Sequence, residues 1–166
     1  MKRPHWRPAY VGVGSNLDDP LAQVEAGIDA AGAIEKTRLV LQSSRYRSAP
    51  LDGAEQPDFI NAVIALVTRL PAEELLRKIR AIEDARGRDR RSGRWSARTL
   101  DLDLLALSDE VIDSETLTLP HPGIAERNFV LLPWKEIAPH YEVPGLGSVA
   151  ELARRLETAL PIERLA

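Results

Sequence analysis

RTLDLDLLAL, residues 98–107, places two aspartates inside a run that otherwise has the composition of a buried strand. Because side chains alternate along a strand, Asp101 and Asp103 are predicted to share one face, with the intervening leucines on the other. Leu105 and Leu107 continue the aspartate face as apolar positions. We therefore expect a covered strand whose first half carries two carboxylates side by side.

Two segments N-terminal to this strand have the spacing of apolar side chains that is typical of a helix with one buried face. The first is predicted to begin at Asp19, as a cap, and Pro20, and the second at Pro71. The predicted stripe of the first helix is Leu21, Val24, Ile28 and Ala31; that of the second is Leu75, Ile79 and Ile82, with Leu76 and Glu83 on its flank.

The remaining segments complete an alternating order of strands and helices. Residues 9–14, 38–50 and 59–69 are predicted strands. Residues 117–139 suggest a short strand, a proline corner and a short helix, and 148–160 a closing amphipathic helix. The order β-α-β-β-α-β predicts an α+β fold, a ferredoxin-like sandwich of a mainly antiparallel sheet with helices packed on it and one open face for a ligand.

Composition excludes several classes of protein. The chain has 166 residues, 44% of them hydrophobic, which predicts a single domain over 1–166. The absence of cysteine excludes disulfides and thiol chemistry. The net charge of −3 gives no general attraction to nucleic acid, and no apolar run approaches the ~18 residues of a membrane helix. We expect a cytoplasmic monomer that binds neither nucleic acid nor membrane.

The aspartate pair has the geometry of a magnesium site. Carboxylates two residues apart on one strand face lie roughly 6–7 Å apart at their Cα atoms, and their oxygens can converge on one or two divalent ions. The alternative is a polar strand end whose aspartates bond nearby arginines. Two further functions stay open: a two-metal phosphohydrolase using these aspartates, and an RNA-binding module using the adjacent cationic loop. A serine nucleophile has no support, because no G-x-S-x-G context is present.

The cationic loop directly precedes this strand. Residues 86–98 contain six arginines and one aspartate. Arginine pairs with phosphate through a planar fork of donors, and Trp95 adds a flat surface for a base or ribose. A charge run is commonly a solvated loop, but here it leads into the predicted metal ligands. Cations, metal and polyphosphate could therefore meet, which is the combination that phosphoryl transfer requires.

Other candidates are weaker when taken singly. The glycines of GVGSNL, residues 12–17, are interpreted as a tight strand exit, because the segment lacks the lysine of a Walker loop. His121, between two prolines, could donate to a phosphate. Phe59 and Phe129 are the two phenylalanines of the chain. Core packing is the ordinary role for both, and holding a flat ring between them is the alternative.

Several stretches together resemble the 6-hydroxymethyl-7,8-dihydropterin pyrophosphokinase family. They occur in family order and cover most of residues 10–139. The arginine–DLDLL segment is the most specific of them, and the glycine turn is the least. The matching stretches are VGVGSNL, SSRYRSAPLDGAEQPDFINAV, AIEDARGRDR, RWSARTLDLDLL, LPHPGIAERNFVLLP and EIAP.

The resemblance implies Mg²⁺-dependent transfer of a diphosphoryl group from ATP to the hydroxymethyl oxygen of a reduced pterin, releasing AMP, in folate biosynthesis. Asp101 and Asp103 correspond by position to ligands of two Mg²⁺ ions that bridge the ATP phosphates. Arg88 and Arg98 are implied as catalytic phosphate clamps on a loop that closes over ATP. The implied ATP contacts are Glu83, Arg88, Arg90, Trp95, Arg98, Leu104, His121 and Arg127.

For the pterin, Phe59 and Phe129 resemble the family's ring-stacking pair, and Asn61 would bond the polar edge of the ring. The implied pterin contacts are Ser48, Leu51, Phe59, Asn61, Trp95, Asp101 and Phe129. Residues 1–8 have no counterpart in the family and are expected to form a flexible N-terminal extension. Two further positions depart from the family pattern. Ala97 replaces a common proline, and Arg80 stands where a glutamine is often found, so Arg80 receives no role.

Overall fold

The computed structural model of the chain describes residues 5–50, 55–87, 99–156 and 161–165. Its strands are β1 (Arg7–Ser15), β2 (Thr37–Gln42), β3 (Tyr46–Ser48), β4 (Phe59–Thr68), β5 (Asp101–Leu107), β6 (Ile112–Asp113), β7 (Thr118–Leu119), β8 (Glu142–Val143), β9 (Gly147–Ser148) and β10 (Ile162–Arg164). Its α-helices are α1 (Pro20–Gly32), α2 (Ala72–Ala85), α3 (Asn128–Ile137) and α4 (Val149–Arg155), and a 3-10 turn covers Ile124–Glu126.

The main sheet has the strand order β10-β3-β4-β1-β5, and β2 pairs with β4 beside β3. All of these pairings are antiparallel. Helix α1 connects β1 to β2, and α2 connects β4 to β5. The architecture is the predicted ferredoxin-like α+β fold, with β2 and β3 together occupying the place of one strand.

The strand predicted over residues 38–50 is interrupted. Its first part, β2, pairs with the second half of β4, and β3 pairs with the first half. At the interruption, the Ser43 amide donates to the Val63 carbonyl at 2.9 Å, and the Ser43 hydroxyl accepts from the Val63 amide at 3.0 Å. The serine side chain thus replaces a strand hydrogen bond, so β4 stays paired while its partner bends.

Strand β5 contains a bulge that the period-two pattern does not reveal. Val11 pairs with Leu104 and Tyr10 with Ala106, so Leu105 is an extra residue on β5. The alternation of faces shifts after this point. Leu105 stays on the aspartate face as predicted, but Leu107 lies in the core on the opposite side. The prediction that Leu107 shares the aspartate face was wrong.

Two hydrophobic cores lie on opposite faces of the sheet. Helices α1 and α2 cover the first, and α3 and α4 pack on the second around the fully buried Trp134. The expectation of one open face is therefore only partly right, because Val63, Leu105 and Ala106 make part of the second face apolar and helices cover it. The end of that face carrying the aspartates stays accessible, with 31% of the Asp103 side chain exposed.

Helix α1 begins as predicted, with Pro20 in the first turn and the Asp19 carboxylate accepting from the Ala22 amide at 3.4 Å. Its buried stripe includes Val24 and Ile28 but not Leu21, which is 45% exposed. The predicted stripe was therefore one residue too long at its N-terminal end. The neighbouring helix α2 buries Leu75 and Ile79 and is capped by Pro71.

The C-terminal strand β10, which the sequence pattern does not predict, pairs with β3 near a carboxylate network. Glu136 of α3 accepts from the Ser44 hydroxyl at 2.6 Å, the Tyr46 hydroxyl at 2.8 Å and Arg164 at 3.2 Å. Burial, and then the hydrogen bond to Glu136, raise the pKa of Tyr46 to about 12. The network ties the C-terminal end of α3 to β3 and β10.

The beginning of β1 extends further toward the N-terminus than the sequence indicates. Arg7 and Pro8, predicted within the flexible extension, pair with β4. The ring of Trp6 lies under the guanidinium groups of Arg38 and Arg69, with ring-centroid distances of 4.9 and 4.6 Å.

In the part of the chain that the structure describes, no helix has the length and apolar character needed to span a bilayer.

Two residues of the predicted α1 stripe give a matched test of the first core. Ile28 is 1% exposed, so Ile28→Ala should lower the free energy of unfolding by about 2–5 kcal/mol through lost burial and a residual cavity. Leu21→Ala, in the same helix, should cost no more than about 0.5 kcal/mol. Urea denaturation monitored by circular dichroism measures both. Equal losses would contradict this placement of the helix.

Candidate active site

Two glycines of β1 separate the predicted metal ligands from the predicted pterin ligands. Gly14 pairs with Asp101 on one side and with Asn61 on the other, and Gly12 pairs likewise with Asp103. Directly paired residues share one face of a sheet, and strands two positions apart are separated by about 10 Å. On this face of the sheet, two positions without side chains therefore lie between the carboxylates of β5 and the amide of Asn61.

These glycines are inside the strand and do not form the tight exit that the sequence suggested. β1 continues to Ser15, and neither glycine has a positive φ. A Cβ added at Gly14 would lie 3.0 Å from the Asn61 Oδ1 atom, closer than an ordinary contact. The missing side chain at Gly14 therefore lets the Asn61 side chain come close to the backbone of β1. It does not serve an unusual turn.

Asp103 has a histidine and an arginine beside it. His121 Nε2 lies 3.9 Å from Oδ1, and Arg127 Nη1 lies 3.8 Å from Oδ2. The Nδ1 atom of His121 accepts from the Gly123 amide at 3.1 Å. The neutral imidazole therefore carries its proton on Nε2, the nitrogen that faces the aspartate.

A cavity of about 340 Å³ opens beside the two aspartates, between α2, β5 and the segment around β7. It brings together five of the sequence-predicted site residues and also includes Arg80, to which the sequence gave no role. The cavity is lined by Leu76, Arg80, Glu83, Asp101, Leu102, Asp103, Leu104, Thr116, Leu117, Thr118, His121 and Pro122.

Glu83 is a buried carboxylate that holds the aspartate strand in place. It is 4% exposed, and its Oε2 atom accepts from the Leu102 amide at 2.8 Å. Among the strands that the structure describes, β5 is at the edge of the main sheet, so its outer side faces no other described strand. The His121 amide covers the same edge by donating to the Leu105 carbonyl at 2.9 Å. These two hydrogen bonds hold Leu102 and Leu105, and with them the part of β5 that carries the two aspartates.

Three of the predicted pterin residues, Ser48, Phe59 and Asn61, lie on the β4 side of the two glycines, away from the carboxylates. The Asn61 side-chain nitrogen donates to the Ser48 hydroxyl at 2.7 Å, and both residues are buried. Phe59 is two residues before Asn61 on β4 and so points to the same face. Phe129, in the first turn of α3, packs against the second core with the Arg127 guanidinium 5.9 Å from its ring centroid. Leu51 lies outside the described residues.

The arginine-rich segment cannot be placed in this geometry. Its predicted site residues Arg88, Arg90, Trp95 and Arg98 lie outside the described residues. Among the residues that are described, no three His, Cys, Asp or Glu side chains cluster as a metal cage. The described part of the chain thus offers two strand carboxylates, and water or ligand oxygens would have to complete the shell of any ion.

Asn16 is a further residue in this region that the sequence interpretation missed. It is 1% exposed, and its side-chain nitrogen donates to Gln56 Oε1 at 2.9 Å and to the Pro57 carbonyl at 3.0 Å. These bonds tie the end of β1 to the segment that leads into Phe59. A polar residue directly after a buried strand was the available signal, and only the fold reveals its partners.

Comparison with known proteins decides the family. The model of the family described as 7,8-dihydro-6-hydroxymethylpterin-pyrophosphokinase (HPPK) matches residues 10–139. The chain belongs to this family. It is 41% identical over 147 residues to a 2-amino-4-hydroxy-6-hydroxymethyldihydropteridine pyrophosphokinase of Haemophilus influenzae, covering 89% of this chain and 91% of the relative. A Pseudomonas aeruginosa relative with the same description is 43% identical over 86% of this chain and 88% of its own.

Solved structures agree with the fold. A crystal structure of Plasmodium falciparum HPPK-DHPS with pteroate superposes with a TM-score of 0.71 over 96% of this chain at 12% identity. The chain spans 45% of that longer protein. Through its family, the chain is a pyrophosphokinase that transfers the pyrophosphoryl group of ATP to hydroxymethyldihydropterin in folate synthesis.

The contact between Glu83 and β5 leads to a stability prediction. Glu83→Ala removes the acceptor of the buried Leu102 amide and should lower the free energy of unfolding by about 1–3 kcal/mol. Glu83→Gln keeps an oxygen acceptor at this place and should lose less. Urea denaturation of both variants measures the difference. An equal loss in the two variants would show that the charge, and not the hydrogen bond, is what matters.

Proposed function

We propose that Asp101 and Asp103 are the metal ligands of this pyrophosphokinase and that the cavity beside them takes ATP. The observation that carries this proposal is the position of the carboxylates. They are neighbours on the exposed end of one strand face, they line the same cavity, and Asp103 has a histidine and an arginine within 4 Å.

The donor set fits Mg²⁺. Magnesium prefers oxygen ligands, commonly takes only one or two carboxylates from a protein, and completes its shell with water and substrate phosphates. The two carboxylates of β5 meet this pattern, and the family uses ATP and Mg²⁺. When bound, the ion neutralises phosphate charge and polarises the phosphoryl group. We propose two ions, as the resemblance implies.

The histidine and the arginine near Asp103 are proposed as phosphate ligands. The His121 Nε2 proton and the Arg127 fork both face the carboxylate that would hold the metal, so they surround the place where a triphosphate would lie. Glu83 and Leu104 line the same cavity and are proposed at the nucleotide. Arg88, Arg90, Trp95 and Arg98 complete the proposed ATP site from outside the described residues.

The face of the sheet at Gly14, between Asp101 and Asn61, is proposed as the pterin site. A flat ring with polar edges suits a floor without side chains, an amide for its edge and aromatic rings for its faces. Asn61, next to Gly14 across the strand pair, provides the amide. The remaining proposed contacts are Ser48, Leu51, Phe59, Trp95, Asp101 and Phe129.

In this arrangement the chain's main contribution is to place the two substrates. The pterin lies between β4 and β5, and the phosphates lie at the carboxylates of β5, so the hydroxymethyl oxygen would point toward the β-phosphorus. That oxygen bonds to the β-phosphorus as the bond from this phosphorus to the oxygen of the α-phosphate breaks. AMP leaves and the hydroxyl proton is released. Such positioning can supply much of the rate enhancement.

Removing either carboxylate tests this proposal. Asp101→Asn and Asp103→Asn keep the shape of the side chain but remove its charge, so each should lower the rate of AMP release about 100-fold or more. Release of AMP from ATP and 6-hydroxymethyl-7,8-dihydropterin is measured across a Mg²⁺ titration, with the melting temperature as a check on folding.

Asp113→Asn is the matched control, because Asp113 is an exposed aspartate on β6 outside the cavity. It should leave the rate and its dependence on Mg²⁺ unchanged. If Asp101→Asn or Asp103→Asn retained the wild-type rate, that residue would not be a metal ligand, while the family's activity would still stand.

A further inference from the structure

Gly123 contacts both His121 and Arg127, the two residues beside Asp103. It lies between Pro122 and the 3-10 turn that leads to Arg127. Its backbone amide donates to His121 Nδ1, as described above, and its α-carbon lies against the guanidinium group of Arg127. One residue thus touches the two side chains proposed as phosphate ligands, through two different atoms.

The contact with Arg127 leaves no room for a side chain. A Cβ built at Gly123 would lie 2.6 Å from Nε, 2.7 Å from Cζ and 3.0 Å from Nη2 of Arg127. Ordinary contacts with a Cβ begin at 3.4 Å, so Nε would have to recede by about 0.8 Å to accommodate even alanine. Arg127 is a flexible side chain, so the guanidinium would move before the backbone did.

The backbone does not require glycine at this position. Gly123 has φ −92° and ψ 3°, which any residue can adopt. No left-handed conformation or strain therefore explains the glycine. The group that an alanine side chain at position 123 would displace is the Arg127 guanidinium.

The guanidinium is confined on its other sides as well. Nη1 lies 3.8 Å from Asp103 Oδ2, and Cζ lies 5.9 Å from the centroid of the Phe129 ring. The arginine side chain is 16% exposed. Displacement away from Gly123 would therefore change its distance to the proposed metal ligand or to the proposed pterin-stacking ring.

We propose that Gly123 is a positioning residue of the reaction, and that its missing side chain holds the Arg127 guanidinium between Asp103 and Phe129. This proposal rests on the proposed role of Arg127 at the phosphates. The amide of Gly123 fixes the tautomer of His121 in addition, and that contact would survive in an alanine variant. Alanine at this position therefore changes the arginine contact selectively.

A double-mutant cycle tests the proposal, using Gly123→Ala, Arg127→Ala and the two combined in the full-length chain. We expect Gly123→Ala to lower kcat for AMP release about tenfold, since displacements near 1 Å can cost up to about 100-fold. In the Arg127→Ala background the same change should alter kcat less than twofold, because the group it displaces is gone. The melting temperature of Gly123→Ala should stay close to that of the wild type.

The wild type, the two single variants and the double variant together distinguish a failure of the Gly123 proposal from a failure of the Arg127 proposal. Wild-type kcat in Gly123→Ala, or the same loss in both backgrounds, would overturn the role of Gly123 while leaving Arg127 in place. A wild-type kcat in Arg127→Ala would instead overturn the proposed role of the arginine, and the positioning role with it. A drop in kcat that appears only while Arg127 is present supports the proposal.

Discussion

The antiparallel register between β1 and β5 determines where the site lies. It places Asp101 opposite Gly14 and Asp103 opposite Gly12, so the cross-strand neighbour of each aspartate on β1 has no side chain. A slip of one residue would turn both carboxylates into the first hydrophobic core and bring leucines onto the accessible face. Burial of an unpaired carboxylate is costly, so the core favours the register that keeps the two aspartates accessible.

Strand β5 serves the site and both cores, because its side chains alternate between the two faces of the sheet and its bulge shifts that alternation after Leu104. The extra residue Leu105 ends the aspartate face with an apolar side chain that packs against the second core, and Leu107 returns to the first core. On the outer edge of the strand, the Leu102 amide donates to Glu83 and the Leu105 carbonyl accepts from the His121 amide. The contacts that complete the sheet edge thus also hold two of the proposed ATP ligands.

Local sequence patterns predicted the parts of the fold that local chemistry decides. The helix start at Asp19 and Pro20, the strands around residues 9–14 and 59–69 and the α+β order depend on caps and periodicity, and they are confirmed. The interruption at Ser43 and the shift at Leu105 arise from pairing with distant strands, which no local pattern contains. The aspartate pair was visible in the sequence, whereas the contact of Gly123 with Arg127 exists only in three dimensions.

The most direct measurement is a crystal structure of the chain with Mn²⁺, a non-hydrolysable ATP analogue and the pterin. Mn²⁺ replaces Mg²⁺ and is located by its anomalous scattering. The account predicts metal ions about 2.1 Å from oxygens of both Asp101 and Asp103 and from phosphate oxygens, with the pterin above Gly14. Metal ions bound to the nucleotide without a bond to either aspartate would contradict it.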